Sequence, residues 1–304
     1  MEIVLQTNHL EKKYKDFKAL SNFNIHVEKG SIYGLIGKNG AGKTTLIRII
    51  CGLQEPTSGD YTIYGIKNTD RNIRKVRSRI GAIIETPSIY QNMTAKDNLI
   101  EQFQLIGMPS LEDIEELLKL VGLENTGKKK VKNFSLGMKQ RLGIAIALAG
   151  NPDLLILDEP INGLDPQGII EMRELILDLN KKRKITILVS SHYLDELSKI
   201  ATHYGFVDNG QIIKEISSEE LMKKMEQKIE LKVKESKDFI KYFEESHISY
   251  EVVDNHTISI YGKIKLPKLM NELSKRNLIV EDIHEKESSL ENYFMNLIGG
   301  DKHD

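Results

Sequence analysis

Residues Gly37, Lys38, Asn39, Gly40, Ala41, Gly42, Lys43 and Thr44 fit the pattern G-x-x-x-x-G-K-[ST], and Thr45 follows them. That spacing belongs to a phosphate-binding loop. Glycines let backbone amides wrap closely around phosphate oxygens. The start of the following helix aims further amides, with the helix dipole behind them, at the anion. In such a loop Lys43 reaches the β- and γ-phosphates and the Thr44 hydroxyl ligates Mg²⁺. A second chemical feature lies downstream, where the apolar run Leu154-Leu155-Ile156-Leu157 ends in Asp158-Glu159. At the end of a strand, Asp158 is placed to hold Mg²⁺ through water. Glu159 is placed to polarise the water that attacks the γ-phosphorus. ATP and Mg²⁺ are the ligands this pair of motifs implies.

The elements around these residues supply the required context. Ser31 to Ile36 reads as an apolar strand entering the loop, and Thr45 to Ile50 as a helix leaving it. Leu154 to Leu157 and Ile185 to Val189 are continuous apolar runs, which suit strands of a parallel sheet buried on both faces. Ile3 to Val27 alternates apolar and polar residues, as short strands around a turn do. Tyr61 to Tyr64 reads as a strand, and so does Ile80 to Ile84, ended by Pro87. From Thr94 to Gly150 the period becomes helical, with Thr94 as N-cap of a helix over Ala95 to Leu105. Ser110 opens S-x-x-D before Ile114, Leu117, Leu118 and Val121, which predicts a capping-box start. Asn209-Gly210 between Phe206-Val207 and Ile212-Ile213 predicts a hairpin.

Ser217 to Gln227 reads as a connecting helix, after which the pattern changes. Strands are expected at Ile229 to Lys234, Tyr250 to Asp254, Thr257 to Tyr261 and Ile279 to His284. Helices are expected at Lys237 to Glu245, Leu266 to Arg276 and Leu290 to Leu297. This βαββαβ order with a trailing helix suggests a ferredoxin-like α+β module.

Composition narrows the function. The chain has 304 residues, 40% hydrophobic and 29% charged, enough for one large domain and a small one. A net charge of −1 offers no general field for nucleic acid. The basic runs at Lys128 to Lys130 and Lys181 to Lys184 read as solvated helix ends. Cys51 is the only cysteine, so no disulfide forms within the chain, as suits a reducing compartment. Its apolar neighbours Ile49, Ile50 and Leu53 suggest a buried small hydrophobe. The polar N-terminal stretch does not read as a signal peptide. The most apolar stretch, Leu142 to Gly150, is too short to span a bilayer. The chain is therefore expected in the cytoplasm, reaching a membrane only through a partner.

Phe134-Ser135-Leu136-Gly137-Met138-Lys139-Gln140-Arg141 precedes the helical stretch Leu142 to Ala149. With it the chain resembles the ATP-binding subunit of an ABC transporter. Ser135 and Gly137 match the second and fourth positions of that family's LSGGQ signature. The resemblance implies an ABC-type α/β domain over residues 1–218, a mixed-sheet core with a helical subdomain at about 90–150. An accessory domain would occupy 219–304. It also implies that the signature acts in trans, with Ser135 and Gly137 facing the γ-phosphate held by another subunit. Two copies, or one copy and a paralogous subunit, would then close as a two-fold dimer on two ATP molecules. Tyr14 resembles the aromatic residue that stacks on adenine. Asn162-Gly163-Leu164-Asp165 resembles the D-loop, and His192 the switch histidine that contacts the γ-phosphate. Membrane permease subunits are the implied partners, with the chain peripheral on the inner face of the cell membrane.

Two departures from the family pattern carry information. The family's Q-loop usually bears Gln, but here Ile84-Glu85-Thr86-Pro87 places Glu85 there, a carboxylate able to ligate Mg²⁺ or hold its water. In the signature, Leu136 and Met138 replace Gly and Gln. An acidic Q-loop residue with Ser-Leu-Gly-Met-Lys-Gln-Arg is similar to the bacitracin and lantibiotic resistance branch, which exports peptide antibiotics or releases them from the membrane. Exporters of another drug, a lipid or an ion are the alternative. A non-transport ABC ATPase fits less well. Translation factors usually carry two such domains in one chain, and repair proteins insert a long coiled coil before the signature.

Overall fold

A computed structural model describes residues 2–224, 228–261, 264–286 and 290–299. The chain divides into two compact units, Met1–Ser218 and Glu219–Asp304. Among the described residues no helix is long and apolar enough to cross a membrane.

The first unit opens with β1 (Ile3–Tyr14), β2 (Phe17–Phe23), β3 (His26–Glu28), β4 (Ile32–Gly37) and α1 (Lys43–Ile50). Next come β5 (Ser58–Ile63), β6 (Ile66–Lys67), α2 (Ile73–Arg77) and β7 (Ile80–Ile83). The helical stretch holds α3 (Ala95–Leu105), α4 (Asp113–Leu120) and α5 (Leu136–Leu148). The unit continues with β8 (Leu154–Asp158), α6 (Pro166–Arg183), β9 (Thr186–Ser191), α7 (Leu194–Ser198), β10 (His203–Asp208) and β11 (Gln211–Ser217).

Two sheets form. One is antiparallel, in the order β2-β1-β5-β6 with β3 also paired to β1. The other runs β11-β10-β4-β9-β8-β7, parallel from β10 to β7, with β11 antiparallel at its edge. Every residue of β4, β8 and β9 is buried, as strands covered on both faces must be. One apolar cluster joins the sheets. Leu46, Ile47, Ile49 and Ile50 of α1 pack in it with Val4 and Tyr61 on one side and Leu154 and Ile156 on the other. Cys51 is partly buried against this cluster, and burial pushes its thiol up to about 12.

Local signals explain most boundaries. Thr94 caps α3, and Asp97 returns the bond to the Thr94 amide, a full capping box. Hydrogen bonds from Thr94 hold the Asp97 carboxyl below its ordinary range. The box expected at Ser110 does not form. The Ser110 hydroxyl accepts from the Glu112 amide in a turn, and α4 begins at Asp113 without a side-chain cap. The Lys128–Lys130 run is not a helix end either. It follows a short 3₁₀ turn at Glu124–Thr126, and Lys130 bridges to Thr94. Lys181, Lys182 and Arg183 do sit in the last turn of α6. Asn209 and Gly210 both take positive φ, as a two-residue hairpin turn requires.

The second unit opens within α8 (Ser218–Lys224), and residues 225–227 of the expected connecting helix lie outside the described residues. It holds β12 (Lys228–Val233), α9 (Lys237–Glu245), β13 (Ser249–Asp254), β14 (Thr257–Tyr261), α10 (Leu266–Lys275), β15 (Val280–Lys286) and α11 (Leu290–Gly299). Its sheet runs β13-β14-β12-β15, antiparallel throughout, the strand order of a split βαβ module. Ile229, Leu231, Val233, Ile258 and Ile260 of the sheet share a core with Phe239, Phe243, Leu269 and Leu273 of the helices.

Candidate active site

The parallel sheet brings its chemistry to one edge. In such a sheet, ligands bind beyond the carboxyl ends of the strands. β4 ends at Gly37, the start of the phosphate loop. β8 ends at Asp158, followed by Glu159, and β9 ends at Ser191, followed by His192. Register fixes their adjacency, with Ile36 beside Ser191 and Asp158 beside Ser190.

The loop itself needs glycine at Gly42, where φ is 107° and a Cβ would sit 2.7 Å from the Ala19 carbonyl oxygen. Gly42 is the N-cap of α1, and its side-chain-free backbone leaves the helix start open to an anion. Lys43 is buried. Its Nζ donates to the Gly37 carbonyl at 2.7 Å and lies 3.3 Å from Glu159 Oε1. The Thr44 hydroxyl donates to Asp158 Oδ2 at 2.8 Å. Glu159 Oε2 meets His192 Nδ1 at 2.8 Å. A cleft of about 270 Å³ opens over the loop, lined by Asn39, Gly40, Ala41, Gly42, Thr45 and Phe17 among others.

Thr44 and Asp158 present a hydroxyl and a carboxylate to one spot. Hard oxygen donors of this kind fit Mg²⁺. A carboxylate at Glu159, within hydrogen-bond reach of an imidazole and close to a buried ammonium, suits a general base whose position is fixed from two sides.

Other expected residues sit further out. Lys38 and Asn39 are exposed at the loop's tip. Glu85 does not line the cleft, and Arg48 of α1 holds its carboxylate at 2.5 Å. Tyr14 lies outside the lining too, its hydroxyl donating to Gln54. Phe17, paired with Tyr14 across the β1–β2 hairpin and largely exposed, is the aromatic residue that faces the cleft. Ser135 caps α5, accepting from the Met138 amide, with Gly137 in the first turn of that helix and neither lining this cleft.

Sequence reasoning missed Ser190, which is fully buried in β9. Its hydroxyl donates to Asp158 Oδ1 and accepts from the Glu159 amide, so one side chain sets both acids. Nothing in its local sequence marks it; only the β8–β9 register does. The hairpin turn after β10 also reaches the site. The Gly210 amide donates to the Ala41 carbonyl of the phosphate loop, and the Gly210 carbonyl accepts from Ser21 of β2.

Comparisons with known proteins agree with this geometry. A family profile described as ABC transporter matches residues 20–162. The bacitracin transport ATP-binding protein BcrA of Bacillus licheniformis is 43% identical over 304 residues, 99% of each chain. The lantibiotic transport ATP-binding protein SrtF of Streptococcus pyogenes is 47% identical over 212 residues, 70% of this chain and 90% of the relative. A solved ATP-binding cassette, a dimer in a post-hydrolysis state bound to ADP and Pi, superposes with a TM-score of 0.63 at 26% identity. It covers 70% of this chain and 98% of its own. Cassettes of this kind dimerise and work with membrane subunits. The chain belongs to the ATP-binding proteins of ABC transporters, and it is an ATP hydrolase.

Proposed function

We propose that this chain powers export of peptide antibiotics, or their release from the membrane, giving resistance to bacitracin-like or lantibiotic peptides. The observation that carries the reading is the end-to-end identity with a bacitracin transport ATP-binding protein, which includes the second unit. The acidic Glu85 in a position usually held by Gln supports the same branch.

Two copies, docked on permease subunits at the inner face of the membrane, bind ATP at their phosphate loops. Lys43 neutralises the outer phosphates, and Gly40 to Thr45 supply amides. Thr44 and Asp158, together with Glu85, would hold Mg²⁺, which would neutralise phosphate charge as the bond breaks. Phe17 and Tyr14 flank the base. Ser135 and Gly137 of one copy meet the γ-phosphate held by the other, at the start of α5. Glu159 accepts a proton from water as the water oxygen bonds to the γ-phosphorus and the bridging bond to ADP breaks. His192 steadies the Glu159 carboxylate and reaches the same phosphate. ADP and phosphate leave, and the two copies part.

A susceptibility panel tests the cargo. The native host lacking this gene would carry wild type or Glu159→Gln and face bacitracin, several lantibiotics and unrelated drugs. Selective peptide sensitivity rescued only by wild type is the expected result. A strain with permease and ATPase expressed but no peptide phenotype would move the cargo to another class of exporter substrate.

A further inference from the structure

Arg48 stands four residues beyond Thr44 on α1, so the two side chains rise from one face of the helix, a turn apart. Its Nη2 meets Glu85 Oε1 at 2.5 Å. Glu85 comes two residues after Ile83, which β7 places beside Leu157 of β8. Glu159 likewise comes two residues after Leu157. Both glutamates leave their strands with positive φ, 61° at Glu85 and 51° at Glu159. Two neighbouring strands therefore each deliver a carboxylate to the edge where phosphates bind.

An amide at the Glu85 position would bring no charge. A carboxylate adds one negative charge at the same strand-end edge as Asp158 and Glu159, where the ligand itself carries several. Uncompensated, that charge opposes binding. A guanidinium in direct contact offsets part of it and fixes where the carboxylate lies. Arg48 is suited to this because it grows from the same helix as Thr44, although the pair faces solvent, with Arg48 36% and Glu85 59% exposed.

We infer that Arg48 is the positioning residue and counter-ion of Glu85, the partner that lets an acid serve where an amide is usual. The inference rests on reading Glu85 as a residue of the metal side of the site.

The test is equilibrium binding of a fluorescent, non-hydrolysable ATP analogue to the full chain, titrated at fixed and at varied Mg²⁺. Wild type, Arg48→Met, Glu85→Gln and the double variant are compared, with Arg48→Lys as the conservative variant. Arg48→Met is expected to weaken binding by about three- to tenfold when Glu85 is present. In the Glu85→Gln background it is expected to change affinity by less than about twofold. Arg48→Lys retains most of the affinity because it keeps the charge. The same loss in both backgrounds, or no loss in either, overturns the role of Arg48. The Mg²⁺ midpoint separates this from the underlying reading. If Glu85→Gln leaves that midpoint unmoved, Glu85 is not on the metal side. If the midpoint moves while the Arg48 effect ignores Glu85, only the counter-ion inference fails.

Discussion

Glu159 and His192 form a pair, Oε2 to Nδ1 at 2.8 Å, while the other Glu159 oxygen lies 3.3 Å from Lys43 Nζ. One carboxylate thus links the phosphate loop to the residue after β9. Glu159→Gln keeps the size but puts an NH2 donor in place of one acceptor oxygen, removes the charge and cannot take a proton. ATP binding is expected to persist while turnover falls by about 10²–10⁴-fold. Gel filtration with ATP is expected to show a lasting dimer. Steady-state hydrolysis at the wild-type rate would remove Glu159 as the base.

Ser190 supports two acids from inside the sheet. Ser190→Ala strips Asp158 Oδ1 of its hydroxyl partner in a buried place, while the Glu159 amide keeps the Ser190 backbone carbonyl. The expected cost is about 1–3 kcal/mol, read from urea denaturation. A matching rise in the Mg²⁺ needed for nucleotide binding is expected, because Asp158 loses its orientation. A stable protein with unchanged Mg²⁺ dependence would show that register alone sets Asp158.

Gly143 lets α5 press against Pro87, and a Cβ there would sit 2.7 Å from the Pro87 ring. Gly143→Ala is expected to destabilise by about 1–3 kcal/mol through overpacking. Gly150→Ala, whose added carbon would find nothing closer than 3.8 Å, is the control and is expected to cost far less. Equal denaturation midpoints for the two variants would contradict the packing argument.

Cys51 carries a thiol raised to about 12 by burial, with Asp158 adding to the rise and Arg77 opposing it. Compared with an ordinary thiol near 8.5, roughly a thousandfold less thiolate exists at pH 8. Labelling by a thiol reagent is expected to be slow in the native protein and fast in denaturant. The sign for stability follows. The folded value exceeds the unfolded one, so the contribution is complete below about pH 9 and is lost as pH climbs towards 12. Rapid native labelling at pH 8 would contradict the burial.

Much of this site is legible in the sequence because its parts are contiguous. Gly37 to Thr44 and Leu154 to Glu159 are single runs whose geometry follows from one strand end each. The βαββαβ order beyond residue 228 is legible for a similar reason, since alternation and helical period change within short windows. Ser190, Arg48 and Phe17 escape because their meaning lies in distant partners: Asp158 across a strand pair, Glu85 across a helix face, the phosphate loop across a cleft. Capping shows the same limit. Thr94 and Ser110 both begin a three-residue spacing to Asp, yet only Thr94 is the N-cap, in an extended backbone, while the N-cap of α4 is Glu112, in a helical one, and Ser110 is spent on a turn before it.

Gly210 has a consequence for what the cleft accepts. Its amide holds Ala41 and its carbonyl holds Ser21, so one residue's backbone clasps the wall that cradles phosphates and the strand that carries Phe17. The separation of these walls is set by main chain rather than by side chains that can swing. Such a cleft keeps its width when the side chains that line it rotate.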